Sequence, residues 1–126
     1  MAQARVLLIE DDPTWLSLMG DWLRPHYRVS SAASGAAGLK QIAAQPPDAV
    51  VLDLHMAGMD GAQVLERMRK TPAGSRIPVV VFSSATVDAG LRRRLTAASG
   101  PGPLVMAAKG GKLETLLSAL RSVLKG

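Results

Sequence analysis

The sequence predicts one α/β domain built on a doubly wound parallel sheet of five strands with five helices. Short apolar runs alternate five times with stretches in which apolar residues recur at helical spacing. The run from Ala49 to Leu52 is rich in valine, which is typical of a strand buried on both faces of a parallel sheet. With 126 residues, the chain is long enough for one core that buries roughly two thirds of its extended surface.

Composition excludes several classes of function. The sequence contains no cysteine, which excludes thiol catalysis and thiolate metal sites and favours a reducing cytoplasm. No apolar run approaches the about 20 residues that a membrane-spanning helix needs, so we expect a soluble, cytoplasmic protein without a membrane segment. The net charge of +5 could attract nucleic acid, but aromatic residues make up only 3% and basic residues are scattered except at Arg92 to Arg94. We therefore expect no direct nucleic-acid binding.

The first predicted strand and the first helix meet at a run of acids. The strand, Arg5 to Ile9, is followed by three consecutive acids that end at Asp12. Because Asp12 and Pro13 are residue types that favour the N-cap and first position of a helix, we interpret Asp12 as a cap rather than a metal ligand. Pro25 ends this helix. Its inner face, which we assign to ordinary core packing, consists of Trp15, Leu16, Met19, Trp22 and Leu23.

The next elements surround the central strand. A weak strand from Tyr27 to Ala32 precedes a small, alanine-rich helix from Ser34 to Gln45. After the central strand, Asp60 is placed to cap a third helix that begins near Ala62. The inner face of that helix consists of Val64, Leu65 and Met68. Its basic residues, which we expect to face water, are Arg67, Arg69 and Lys70.

Two strands and two helices complete the pattern. The fourth strand is predicted from Ile77 to Phe82 and the fifth from Leu104 to Ala108. A helix from Val87 to Ala98 lies between them and is ended by the glycine and proline run from Gly100 to Pro103. The last helix is indicated by Leu113, Leu116, Leu117, Leu120 and Leu124.

Polar residues follow four of the five predicted strands. They are Glu10 and Asp11, then Asp53, Ser83 and Lys109. Because the carboxyl ends of parallel strands share one edge, where open α/β sheets bind ligands, we expect these side chains to converge. Three carboxylates make a site for a hard cation, for which Mg²⁺ is the natural occupant. With a lysine and a hydroxyl nearby, an aspartate there could act as the nucleophile toward a phosphoryl group.

The segments LLIEDDP, VVLDLHMAGMDG and IPVVVFSSA, with a lysine ending the fifth strand, together resemble the CheY-like receiver domain of bacterial two-component response regulators. The resemblance covers nearly the whole chain in order and spacing, so we treat residues 1–126 as one receiver domain. It implies a flavodoxin-like sheet with strand order 2-1-3-4-5. It also implies that Asp53 accepts a phosphoryl group from a sensor histidine kinase or phosphotransfer protein.

The resemblance implies further roles for residues near Asp53. Asp11 would ligate Mg²⁺ directly and Glu10 through water, together with Asp53 and the backbone carbonyl of His55. Ser83 would turn toward the phosphoryl oxygens, and Lys109 would pair with them. The family's output is a shift of the face made by the fourth helix, fifth strand and last helix, which controls an output domain or partner and can also form a homodimer. We expect no enzymatic activity beyond self-catalysed phosphotransfer and dephosphorylation.

Four positions depart from the family pattern. Ala57 and Gly110 stand where proline is usual, and Met106 stands where an aromatic switch residue is common. Ser84 replaces a commoner alanine and rivals Ser83 as the switch hydroxyl. These departures keep open a degenerate receiver that binds partners without phosphorylation. A Mg²⁺-dependent phosphatase with an aspartyl nucleophile is a third alternative, disfavoured because no second acid adjoins Asp53 as general acid. Whether the receiver stands alone or belongs to a longer regulator stays open.

Overall fold

Five parallel strands form one sheet in the order β2-β1-β3-β4-β5, which confirms the predicted fold class and strand order. The computed structural model describes residues 3–84, 87–110 and 113–124. The strands are β1 (Arg5–Ile9), β2 (Arg28–Ala32), β3 (Ala49–Leu52), β4 (Val79–Ser83) and β5 (Leu104–Ala108). The helices are α1 (Pro13–Leu23), α2 (Gly35–Ala44), α3 (Gly61–Arg69), α4 (Ala89–Ala98) and α5 (Leu113–Leu124).

Helices cover both faces of the sheet and create two apolar cores. Alternate residues of β1 point to opposite faces, so Leu7 and Ile9 enter one core while Val6 and Leu8 enter the other. The first core is closed by buried side chains of α2, α3 and α4, and the second by those of α1 and α5. The strand β3 is fully buried, as its valine-rich sequence predicts. Among the described residues, no helix is both long and apolar enough to cross a membrane.

Polar caps fix where the helices begin. The Asp12 carboxylate accepts from the N–H of Thr14 at 2.9 Å and therefore caps α1, as predicted. Asp60 caps α3 in a reciprocal arrangement with Gln63, in which each side chain accepts from the other residue's backbone N–H. These caps place the start of α1 and α3 directly after the polar ends of β1 and β3.

Two predicted elements begin two residues later in the structure, each for a local reason. The strand predicted from Ile77 begins two residues later, because Pro78 has no N–H to donate to the sheet and offers only its carbonyl. The helix predicted from Val87 begins after Asp88, whose carboxylate accepts from the N–H of Leu91 at 2.8 Å. The strand β2 is also one residue shorter than predicted.

The prediction that Arg69 faces water is wrong. Its guanidinium is half-buried and donates to the carbonyls of Ser99 at 2.7 Å, Gly74 at 2.9 Å and Ile77 at 2.6 Å. Burial lowers the pKa of Arg69 from its ordinary value, but a guanidinium remains charged. The helical pattern misplaced this side chain because its partners are backbone carbonyls of loops, which no residue type marks in the sequence. It joins the ends of α3 and α4 to the loop before β4.

Candidate functional site

The carboxyl ends of the central strands are held together by backbone hydrogen bonds that continue past the strands. The N–H of Asp53, just after β3, donates to the carbonyl of Ile9 at 3.0 Å. The N–H of Lys109, just after β5, donates to the carbonyl of Ser83 at 3.1 Å. These bonds fix the backbone from which the acidic, hydroxyl and amine side chains extend, so the site has a rigid frame.

The ammonium group of Lys109 lies between two carboxylates. It donates to Oε1 of Glu10 and lies 3.5 Å from Oδ1 of Asp53. All three residues are buried, with exposed fractions of 1% for Glu10, 6% for Asp53 and 8% for Lys109. Because each buried charge needs a partner, two carboxylates around one ammonium leave an excess of negative charge at this edge.

A third carboxylate completes an acidic cluster. Ligand oxygens of Glu10, Asp11 and Asp53 all lie within 4.8 Å of one another. Asp11 is partly exposed, and its Oδ2 accepts from the N–H of Ala57 at 3.0 Å, which holds the loop after β3 against the cluster. Oxygen-only donors in this number suit Mg²⁺, which takes one or two carboxylates directly and keeps positions for water and phosphate oxygen. The residues present therefore fit such an ion.

The excess negative charge is reflected in Glu10. Burial, together with the hydrogen bond and charge of Asp53, raises the pKa of Glu10 to about 7, while Lys109 opposes the rise. Its other oxygen, Oε2, accepts from the N–H of Asp12 at 3.4 Å. A divalent cation at the cluster would favour the ionised carboxylate and lower this pKa.

The two candidate switch serines differ in environment. Ser83 is the last residue of β4 and is buried, whereas Ser84 is exposed. Ser83 also lines a cavity of about 210 Å³ between β4, β5 and α4. Met106 of β5 lines the same cavity, and its sulfur lies 3.9 Å from Nη1 of Arg92. The two serines are therefore distinguished by burial, and the choice of Ser83 as the switch hydroxyl stays a prediction.

Two predicted site residues contribute differently from the acids. The side chain of His55 is exposed, and the expectation that its carbonyl ligates a metal stays a prediction. The carboxylate of Asp12 is engaged at the start of α1 and is not one of the three acids of the cluster. Asp12 therefore serves the helix, as its neighbour Pro13 indicated.

Sequence reasoning missed one contact at the site. Trp15, assigned to core packing alone, places its ring under the ammonium group of Lys109, with 4.8 Å between Nζ and the ring centroid. The available signal was positional, because a residue one turn after the cap of α1 lies near the carboxyl edge of the sheet. Helical spacing shows that such a residue faces inward, but it does not show which group it meets.

Comparisons with known proteins agree with this geometry. A family model described as the response regulator receiver domain matches residues 6–117. The chain is similar to the receiver domain of a sensor histidine kinase from Pseudomonas aeruginosa, solved with a magnesium ion coordinated in the active site cleft. The TM-score is 0.85, with 26% identity and 98% of each chain covered. The fold also matches chemotaxis protein CheY4 of Vibrio cholerae, with a TM-score of 0.87, 24% identity, and 98% and 100% of the two chains covered.

Two curated relatives are much longer than this chain. Transcriptional regulatory protein AfsQ1 of Streptomyces coelicolor is 38% identical over 84 residues, which are 66% of this chain and 36% of that protein. A probable cyclic di-GMP phosphodiesterase of Vibrio cholerae is 32% identical over 83 residues, which are 66% of this chain and 19% of that protein. The similarity spans well under half the length of each of these two relatives.

Proposed function

This chain belongs to the response regulator receiver domain family of two-component signalling, and from that premise we propose that it is a phosphorylation-dependent switch with Asp53 as phospho-acceptor. One observation carries the proposal: the carboxylates of Glu10, Asp11 and Asp53 lie within 4.8 Å of one another, and the ammonium of Lys109 lies 3.5 Å from Asp53. A buried aspartate beside two acids and a lysine suits phosphoryl transfer.

The proposed reaction is a displacement at phosphorus. An oxygen of the ionised Asp53 carboxylate forms a bond to phosphorus as the bond from phosphorus to the donor's leaving group breaks. When the donor is a phosphohistidine of a sensor histidine kinase or phosphotransfer protein, the imidazole leaves with the electron pair. No protein base is needed because the carboxylate is already ionised. Mg²⁺ bound by the acidic cluster would neutralise charge on the phosphoryl oxygens.

The remaining residues position and stabilise the transferred group. We assign to Lys109 the pairing with a phosphoryl oxygen, for which its buried ammonium beside Asp53 is placed. Ser83 would donate its hydroxyl to another phosphoryl oxygen, a role supported by its buried position at the end of β4. The carbonyl of His55 would complete the Mg²⁺ ligands supplied by Glu10, through water, and by Asp11 and Asp53.

The output would arise at the face of α4, β5 and α5. The cavity of about 210 Å³ beside Ser83 leaves room for side chains of α4 and β5 to rearrange when the hydroxyl turns toward the phosphoryl group. Met106 lines that cavity where an aromatic residue would otherwise turn. The altered face would then act on an attached output domain or a separate partner, or join two copies of the domain.

Intact-mass measurement tests the proposal directly. Incubation with Mg²⁺ and acetyl phosphate is expected to add one phosphoryl group, and Asp53→Asn is expected to abolish it. Asp12→Asn is a matched control because asparagine also caps helices, so this variant should be phosphorylated normally. A wild-type protein that neither gains phosphate nor binds Mg²⁺ would instead be a phosphorylation-independent interaction module. Release of phosphate from small substrates over many turnovers would indicate a phosphatase.

A further inference from the structure

We propose that Trp15 is a positioning residue for Lys109, holding its ammonium at the phosphorylation site through the face of the indole ring. The ring centroid lies 4.8 Å from Nζ, within the range in which a cation is attracted to an aromatic face. The inference rests on the proposed roles of Asp53 and Lys109. It adds a residue of α1 to a site otherwise formed by strand ends and the loops that follow them.

The indole is itself fixed by other aromatic rings. Trp15 packs edge-on against Phe82, with 5.9 Å between centroids and 85° between planes. Trp15 also packs edge-on against Trp22, with 6.2 Å between the ring centroids and 76° between the ring planes. Phe82 is 2% exposed and immediately precedes Ser83 in β4. The ring under the ammonium is therefore anchored to the central sheet and cannot drift with the surface of α1.

Lys109 needs lateral support because a lysine side chain is long and flexible. Its backbone is fixed by the hydrogen bond to Ser83, but a flexible stem separates that backbone from the ammonium. Among the described residues, the side chains that hold the ammonium in place are the carboxylates of Glu10 and Asp53 and the ring of Trp15. Trp15 is the uncharged member of this set.

An aromatic face suits an ammonium that must change hydrogen-bond partners. An ammonium has three N–H donors, and each carboxylate oxygen it serves occupies one of them. The attraction to a ring face is electrostatic and broad, so it does not require one donor to point in one direction. The ammonium can then turn from Asp53 toward an oxygen of the attached phosphoryl group while it stays on the ring.

Two substitutions of Trp15 separate the aromatic face from bulk. Trp15→Leu removes the face, and we expect the initial rate of phosphorylation by acetyl phosphate at saturating Mg²⁺ to fall about five- to tenfold. Trp15→Phe keeps a smaller face and should recover part of that loss. The control is Leu18→Ala, which changes an exposed side chain of the same helix and should change the rate by less than about twofold.

A second readout does not depend on any variant being active. In wild-type protein with ¹³C-labelled lysine, the ε-methylene protons of Lys109 are expected upfield of those of the other lysines because of the indole ring current. Lys109→Arg assigns the signal by its disappearance. The upfield shift should be reduced in Trp15→Phe and lost in Trp15→Leu.

The outcomes distinguish this inference from the function on which it rests. A wild-type protein that takes up no phosphoryl group contradicts the proposed function, whatever the Lys109 signal shows. A wild-type protein that is phosphorylated overturns the role of Trp15 if Trp15→Leu reacts equally fast. An ordinary chemical shift for the Lys109 ε-methylene in the wild-type protein overturns it as well, even if Trp15→Leu fails to fold.

Discussion

At the scale of single residues, the candidate site is defined by charged side chains that are buried. Glu10 is 1% exposed and shares the ammonium of Lys109 with Asp53. The identity of these residues was predictable, because polar side chains directly after apolar runs mark the carboxyl edge of a parallel sheet. The raised pKa of Glu10 was not predictable, since it results from burial and from a neighbour 43 positions away in the chain. Sequence spacing indicates that a residue lies at the carboxyl ends of the strands, but it does not indicate how deeply the side chain is buried.

The pKa of Glu10 predicts that Mg²⁺ binding depends on pH. In the metal-free protein this pKa is about 7, so Glu10 is mostly protonated at pH 6 and mostly ionised at pH 8. Because the ion favours the carboxylate, its apparent affinity should be about tenfold weaker at pH 6 than at pH 8. Titration of the protein with Mg²⁺ at the two pH values measures this ratio. Equal affinities would contradict the assigned pKa.

The same shift predicts a stability difference of defined sign. A carboxyl whose pKa is raised on folding binds its proton more tightly in the folded state, so its contribution to stability falls as pH rises from 4.5 to about 7. Relative to Glu10→Gln, which cannot ionise, metal-free wild-type protein should therefore lose stability across this window. Denaturant unfolding of both proteins with a chelator present would detect the loss. Added Mg²⁺ should reverse it, because a ligand bound only by the folded state stabilises that state.

At the scale of elements, local chemistry accounts for the boundaries, including those that the sequence pattern missed, and long-range contacts decide what the side chains meet. The caps Asp12 and Asp60 were read correctly because a cap and its helix lie within four residues of one another. The start of β4 was misjudged at Pro78, since an apolar pattern continues through a residue that cannot donate to the sheet. Trp15 and Arg69 were placed on the right elements with the wrong surroundings.

Two glycines near helix starts predict opposite effects of an added methyl group. In Gly61→Ala, the Cβ would lie 2.3 Å from the backbone oxygen of Asp53 and 2.8 Å from Cα of Leu54. Backbone atoms cannot yield cheaply there, so unfolding free energy should fall by about 1–3 kcal/mol and Mg²⁺ affinity should weaken as Asp53 shifts. In Gly90→Ala, the nearest atom is Oδ1 of Asp88 at 3.4 Å, and the helix should gain about 0.5 kcal/mol.

Denaturant unfolding of the two variants measures the difference in their free energies of unfolding. Mg²⁺ titration shows whether the loss in Gly61→Ala extends to the acidic cluster. Gly90→Ala is the control for the general effect of glycine replacement at a helix start, because α4 lies outside the acidic cluster. If both variants lose the same stability, the close approach of α3 to the backbone of Asp53 has no energetic weight. Different losses would show that the start of α3 packs closely against the backbone of Asp53 and Leu54.

At the scale of the whole molecule, the carboxyl ends and the amino ends of the strands hold different groups. The carboxyl ends of the strands bring together the acids and Lys109. At the amino ends of the strands, the guanidinium of Arg69 donates hydrogen bonds to carbonyls of the segments before β4 and β5 and of the end of α4. The alternation of strands and helices predicted the cluster at the carboxyl ends, because the ends of the strands are visible in the sequence. It could not predict the contacts of Arg69 at the amino ends, because the acceptors are backbone carbonyls, which every residue carries.

Separation of the edges predicts that stability and ion binding can be altered independently. Arg69→Ala removes hydrogen bonds to the carbonyls of Ser99, Gly74 and Ile77 and should lower the free energy of unfolding by about 2–4 kcal/mol. Arg69→Lys should recover only part of this loss, because the three donors of a compact ammonium cannot reach acceptors that lie on different sides of the planar guanidinium. The exposed Arg67 gives the matched control, Arg67→Ala, which should stay within about 0.5 kcal/mol of wild type.

Denaturant unfolding and Mg²⁺ titration of the same samples decide whether the edges are independent. Under conditions where Arg69→Ala remains folded, its Mg²⁺ affinity should equal that of wild type, because its contacts lie at the edge opposite the acidic cluster. A loss of affinity that parallels the loss of stability would mean that the sheet transmits strain between its edges. The contacts of Arg69 would then be coupled to ion binding at the acidic cluster, and substitutions at the amino ends of the strands could alter the proposed signalling output.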